Sequence, residues 1–232
     1  MFYGGSGDYF IGHFDGSKFT PESEVIKYSY GNAFYASQTF SNIPKEDGRC
    51  IQIGWATIDY VPGMSFNQVM NFPVELTLRK TDEGIRMFTN PVREIEKLHK
   101  KKHSTSDEVL KPGKNPLSKI KGDLFDIRAE FAVEKAAEIG FEIRGVPVVY
   151  NVEEKVISCE GHEAPCKPIN GKIKLQILVD RTLIEIFIND GEYFMPIGVT
   201  PDDDNKSLRV FTKGGRTNIE EMTIYEMKSI WP

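Results

Sequence analysis

Nowhere does the 232-residue sequence reach the roughly 20 consecutive apolar residues that a membrane-spanning helix needs. Residues 1–10 are aromatic and glycine-rich, with neither a basic start nor a long apolar stretch, so no targeting segment and no membrane partner is read and the compartment stays open. Cysteine is scarce: Cys50, Cys159 and Cys166 are an odd number, too few for a dense disulfide framework. Basic residues are outnumbered, 29 against 34 acidic for a net charge of -5, and they form no stripe that would track a phosphate backbone, which excludes nucleic acid as a partner. The four histidines, His13, His99, His103 and His162, are scattered and pair by spacing with no serine or cysteine nucleophile, so triad chemistry has no support.

What is present is a folded, strand-rich chain. A 40% hydrophobic and 11% aromatic content suffices for one sizeable core or two modest ones. Short alternating runs at 9–14, 34–40, 49–53, 74–78 and 85–88, each bounded by Gly, Pro, Asn or Asp, predict antiparallel strands. Over 93–103 the pattern changes to a very polar stretch anchored only by Ile95 and Leu98, which predicts a helical connector. The turn-rich stretch 111–116 with two prolines then marks a boundary near 103–120, giving units 1–103 and 104–232.

Beyond it, strands are predicted at 124–133, 138–144, 146–152, 155–159, 172–179, 183–188, 193–199, 208–212 and 219–226, a spacing that suggests a β-sandwich. The clearest hairpin is 175–191, two β-branched runs about the polar corner Asp180-Arg181-Thr182. The few strands of the first unit cannot close a propeller by themselves and leave sheet edges that need a cover.

Several motifs in register carry a family resemblance. YFIGHFDGSKF at 9–19, YGNAFYASQTF at 30–40, RCIQIGW at 49–55, MSFNQVMNFPVELTL at 64–78 and PVREI at 91–95 follow in an order that resembles the later propeller blades of family 32 glycoside hydrolases, while FDIRAEF at 125–131 and the 175–191 hairpin resemble that family's C-terminal module. The resemblance implies an all-β fold: about the last two blades of a five-bladed propeller, then a C-terminal β-sandwich. It also implies a role in cleaving fructosides such as sucrose, levan or inulin. The sequence departs from the family pattern at Ser29 and Ala33, where acidic residues are usual.

Glycoside hydrolysis uses two carboxyl groups flanking the scissile bond. By resemblance these belong to an Asn-Asp-Pro-like segment, an Arg-Asp-Pro segment and a Glu-Cys pair, and none of these strings occurs in this chain. Asn189-Asp190-Gly191 lacks the proline and reads as turn chemistry, and Cys159-Glu160 has the pair reversed. No catalytic residue is therefore assigned, and the chain alone is expected to be inactive. Tyr35, Gln38 and Trp55, in the matching blade motifs, are the candidate sugar-contacting residues, against the bland alternative that strand aromatics belong to the core.

Cys159, His162, Glu163 and Cys166 offer zinc-type ligands, but a Cys pair seven positions apart with one His does not match common zinc spacing. A hairpin loop or a reversible disulfide is the reading taken there, with no metal and no cofactor. Two alternatives to a hydrolase part stay open. One is a fructan-binding sandwich that stacks sugar rings on Tyr150, Tyr193 or Tyr225. The other is an interaction protein, pairing through open sheet edges with a second copy, whereas the hydrolase part itself would partner a missing N-terminal propeller fragment.

Overall fold

The computed structural model describes residues 1–58 and 67–230. The motif residues 64–66 lie outside the described residues. None of the described helices is long and apolar enough to cross a membrane.

The first part is built from short strands. β1 (Phe2–Tyr3), β2 (Asp8–Phe10) and β5 (Ile26–Lys27) form one sheet, and β3 (Gly12–Phe14) with β4 (Phe19–Pro21) makes a hairpin beside it. The alternating run at 9–14 is thus split into β2 and β3 at Ile11, whose amide is taken by Ser23 Oγ at 2.9 Å. β6 (Tyr35–Thr39), β7 (Cys50–Ala56), β8 (Val69–Met70), β9 (Val74–Thr81) and β10 (Gly84–Pro91) form a second sheet in the order β10-β9-β7-β6, with β8 beside β7. These are the last two blades of a propeller, the second nearly complete and the first represented by fewer strands.

A 3-10 helix, Arg93–Leu98, follows, and here the sequence reading is corrected: the helix predicted through 103 stops at Leu98, and β11 (His99–Leu110) begins at once. β11 is the edge strand of a six-stranded antiparallel sheet, β11-β21-β12-β17-β18-β19, completed by β12 (Phe125–Ala132), β17 (Lys172–Val179), β18 (Leu183–Ile188), β19 (Tyr193–Gly198) and β21 (Thr217–Met227). Residues 99–103 thus belong to the sandwich sheet. The opposing sheet runs β16-β15-β14-β13-β20, formed by β13 (Glu138–Ile143), β14 (Val146–Asn151), β15 (Val156–Cys159), β16 (His162–Pro165) and β20 (Leu208–Lys213). β16 is the one sandwich strand besides β11 that the sequence pattern missed.

Alternation decides which residues fill the sandwich. Phe125, Ile127, Ala129 and Phe131 of β12 point inward beside Leu175, Ile177 and Val179 of β17, and they meet Ile139, Phe141 and Ile143 of β13 from the other sheet. Phe131 and Phe141 touch across the layer edge to face, their centroids 5.9 Å apart. Truncating either to Ala would cost about 3–5 kcal/mol, the usual range for a fully buried aromatic.

The outer face of the six-stranded sheet is not left to solvent everywhere. Leu178, Phe187 and Phe194 pack with Tyr9, Tyr28, Phe34, Val74, Leu76 and Met87, so a second core joins the blades to the sandwich. All six residues of β18 are consequently buried, which explains its apolar pattern on both faces. Ser29 and Ala33, where the family pattern is acidic, both lie buried in this seam, and an unpaired carboxylate there would be costly.

Candidate functional site

The three predicted sugar-contacting residues fall together. Tyr35 and Trp55 are register partners across β6 and β7, with ring centroids 6.3 Å apart, and Gln38 stands opposite Ile53. One residue lies between Ile53 and Trp55, whereas two lie between Tyr35 and Gln38, so β6 carries one extra residue. That bulge sits at Ala36, whose φ is 46°, and it is what turns Gln38 to the same face as Tyr35. Without it a strand places i and i+3 on opposite faces.

The face so formed is open. Tyr35 and Trp55 are 52% and 39% exposed, and Phe40 and Met70 beside them are 52% and 54% exposed. Met70 pairs with Trp55 through β8, and the amide of Phe40 bonds to Ile51 O at 2.9 Å, so the patch is continuous from Met70 to Phe40. Its aromatic and apolar groups with one exposed amide make a surface able to stack on a ring and bond a hydroxyl.

Behind the patch, the opposite face of β6 and β7 is sealed. Gln52 is fully buried, accepts from the Tyr28 hydroxyl at 3.2 Å and donates to Ser37 Oγ at 3.2 Å. Burial pushes the Tyr28 phenol up to about 12 despite these bonds, so it stays a neutral donor. Gly54 completes the seal: a Cβ there would lie 2.4 Å from the Phe34 ring and 2.9 Å from Asn71 Oδ1.

Asn71 leads to a group the sequence reading missed. Its Nδ2 donates both to Ala33 O at 3.0 Å and to Glu185 Oε1 at 2.8 Å, and the Phe72 amide donates to the same Glu185 oxygen at 3.0 Å. Glu185 is 0% exposed, at the centre of β18, and burial raises its carboxyl from the ordinary range to about 8. A carboxylate within an otherwise apolar run, Leu183 to Ile188, was the available signal.

The other candidates disperse. Tyr150 is 1% exposed, inside the sandwich core, so it cannot meet a sugar. Tyr193 is half-buried edge to face against Tyr30, centroids 5.7 Å apart. The Tyr225 ring is stacked by the His99 imidazole at 3.7 Å, with the Arg128 guanidinium 5.4 Å from its centroid, so it is held by protein groups. His99 and Arg128 in turn bind the buried Asp126 carboxylate at 2.9 and 2.8 Å, a hydrogen-bonded cluster where the connector enters the sandwich.

Asn189-Asp190-Gly191 is the turn between β18 and β19, with positive φ at all three residues and Asp190 paired to Lys174. Glu160 is a turn residue between β15 and β16. Cys159 and Cys166 are buried free thiols, which replaces the disulfide alternative with the hairpin one, and burial pushes both up to about 12.

Comparison with known families decides the kinship. The model described as glycosyl hydrolases family 32 C terminal matches residues 94–226, and that of the family 32 N-terminal domain matches residues 4–91. This chain belongs to glycosyl hydrolase family 32. A levanase of Bacillus subtilis (strain 168) is 32% identical over 98% of the chain, which spans 38% of that protein, and a levanase of Bacillus sp. (strain L7) is 30% identical, with 28% of its length spanned. Exo-inulinase from Aspergillus awamori superposes with a TM-score of 0.84 at 21% identity, over 98% of this chain and 52% of the other. The family 32 chain thus spans about half or less of these relatives. In family terms the Tyr35–Trp55 face belongs to the last blade and the Glu185–Asn71 pair lies where that blade meets the sandwich.

Proposed function

We propose that this chain supplies the sugar-contacting last blades and the supporting sandwich of a fructoside hydrolase, with Tyr35, Gln38 and Trp55 as its contacts to a fructose-containing oligo- or polysaccharide. One observation carries this reading: a bulge that turns an exposed amide onto the same open face as two exposed aromatics, in a member of a family whose relatives include levanases and an exo-inulinase. The general chemistry calls for two carboxyl groups across the scissile bond, and neither is assigned within this chain. Hydrolysis of sucrose, levan or inulin therefore requires early blades, joined in cis or supplied by another chain, that leave the Tyr35–Trp55 face open to the sugar. The division into a propeller part and a sandwich module belongs to the same reading, with the change falling at about residue 98, where the 3-10 helix ends.

The test is fructose release from sucrose, levan and inulin by the chain alone and after mixing with an N-terminal family 32 fragment. Background release alone with turnover on mixing supports the proposal. Turnover by the chain alone, or none above background in the mixture, overturns it. A purely binding role makes a distinct prediction: calorimetric heat with fructan oligosaccharides and no gain in turnover on mixing.

A further inference from the structure

Three hydrogen bonds run from Asn71, and a fourth from its neighbour Phe72. The Asn71 backbone amide donates to Gly54 O at 3.0 Å, the residue before Trp55, and its side chain donates to Ala33 O at 3.0 Å, two residues before Tyr35. The second Nδ2 hydrogen goes to Glu185 Oε1 at 2.8 Å, and the next amide, of Phe72, reaches the same oxygen at 3.0 Å. Glu185 is thus a sandwich side chain that grips the segment from which both aromatic-bearing strands are held.

The unpartnered atoms define its protonation state. Among the described residues neither Glu185 Oε2 nor Asn71 Oδ1 has a hydrogen-bond partner, and both are buried. An ionised carboxyl would leave two acceptors facing no donor. A proton on Oε2 turns one of them into a donor in a pocket whose other orphan is an acceptor.

Only the Asn71 and Phe72 donors on Oε1 favour the charge, and burial outweighs them. Glu185 stands between Leu178 of β17 and Pro196 of β19, under Asn71, Phe72 and Ala33, none of which is charged. The single charge acting on it is Asp180 at the end of β17, of like sign, which adds to burial in disfavouring ionisation.

We propose that Glu185 is a positioning residue that holds the Tyr35–Trp55 face in place through Asn71 as a neutral acid, and that its ionisation, which puts a buried charge on an oxygen with no donor, opens this joint to water. The inference rests on the Tyr35, Gln38 and Trp55 reading for its functional meaning, but its test does not need a sugar. Each of the chain's two tryptophans, Trp55 and Trp231, would fluoresce, so Trp231→Phe isolates Trp55.

In that background, Trp55 emission and its quenching by iodide are followed from pH 6 to 9.5. The expected result is a transition with a midpoint near pH 8 in the chain with Glu185. Glu185→Gln, which keeps the acceptor for Asn71 and Phe72 and cannot ionise, is expected to hold the low-pH spectrum throughout. A flat titration with Glu185 present, or the same transition in Glu185→Gln, overturns the proposal. The titration without the Gln substitution stands even should that variant fold poorly. In parallel, affinity for an inulin oligosaccharide is expected to fall about tenfold or more between pH 6 and 9 with Glu185 and to stay level with Gln. Absence of sugar binding at every pH would refute the contact residues and leave the positioning test to the fluorescence.

Discussion

The amide of Thr89 donates to the carbonyl of Gly191 at 2.8 Å, and a Cβ on Gly191 would lie 2.0 Å from the carbonyl oxygen of Thr89. The last blade strand therefore runs against the backbone of the β18–β19 turn with no room for a side chain. Gly191 also has a φ of +87°, where an L residue is strained. Gly191→Ala combines both penalties and is expected to destabilise the chain by about 2–4 kcal/mol. Urea melts would show it as a lower midpoint. An unchanged midpoint would mean that β10 and this turn are not in contact in solution.

Glu185 makes stability fall with rising pH. Its carboxyl is raised to about 8 in the folded chain, above the ordinary 4.5, so the folded state keeps its proton after the unfolded state has lost it. Between about pH 4.5 and 8 the unfolded chain binds fewer protons, and the stability lost by pH 8 is on the order of 4 kcal/mol. Glu185→Gln removes that loss, so its advantage over the parent chain should grow steadily from pH 5 to 8. Paired thermal melts across that window check it. A difference that is constant with pH would show that Glu185 does not titrate there.

The legible parts of the fold were those where burial writes the pattern. The strands β17 and β18 match their predicted bounds, 172–179 and 183–188, because β17 alternates buried apolar with more exposed polar residues up to Ile177 and β18 is buried throughout. β11 was illegible for the opposite reason: His99 to Leu110 is almost wholly polar, and an edge strand whose pairing is with β21 alone need not alternate. Its lysines suit an edge as well as they suit a solvated helix. At the site, the three contact residues were readable one by one, but their shared face depends on a bulge at a non-glycine residue, Ala36, that no turn chemistry announces. Glu185 was overlooked because its run was read as a strand alone, without asking what a carboxylate does inside it.

The thiols should divide sharply by reactivity. Cys159 and Cys166 are 2% and 0% exposed with thiols pushed up to about 12 by burial, whereas Cys50 is exposed at the start of β7. Native protein treated with an excess of a thiol-reactive chromogenic disulfide should release about one equivalent promptly, and all three thiols should react once the chain is unfolded. Prompt reaction of more than one, or fewer than three after unfolding under reducing preparation, would contradict the buried pair.

If the open blade face contacts sugar, its three residues should contribute unequally and in a way the geometry ranks. Trp55 offers the largest ring, and its removal in Trp55→Ala should weaken binding of fructan oligosaccharides by about 1–3 kcal/mol, roughly tenfold or more. Tyr35→Ala should cost somewhat less, since the ring is smaller and its neighbour remains. Gln38→Ala removes a hydrogen bond at an exposed position, worth about 0.5–1.5 kcal/mol. Deleting Ala36 is the control: it removes the extra residue and leaves Tyr35, Ser37 and Gln38 in plain alternation, so Tyr35 and Gln38 stay on one face opposite Trp55 and Ile53 and binding should be retained. Titration calorimetry with levan and inulin oligosaccharides, using the assembled enzyme where the chain alone binds too weakly, measures all four. Affinities equal to the parent in all three alanine variants would remove this face from the sugar-binding surface.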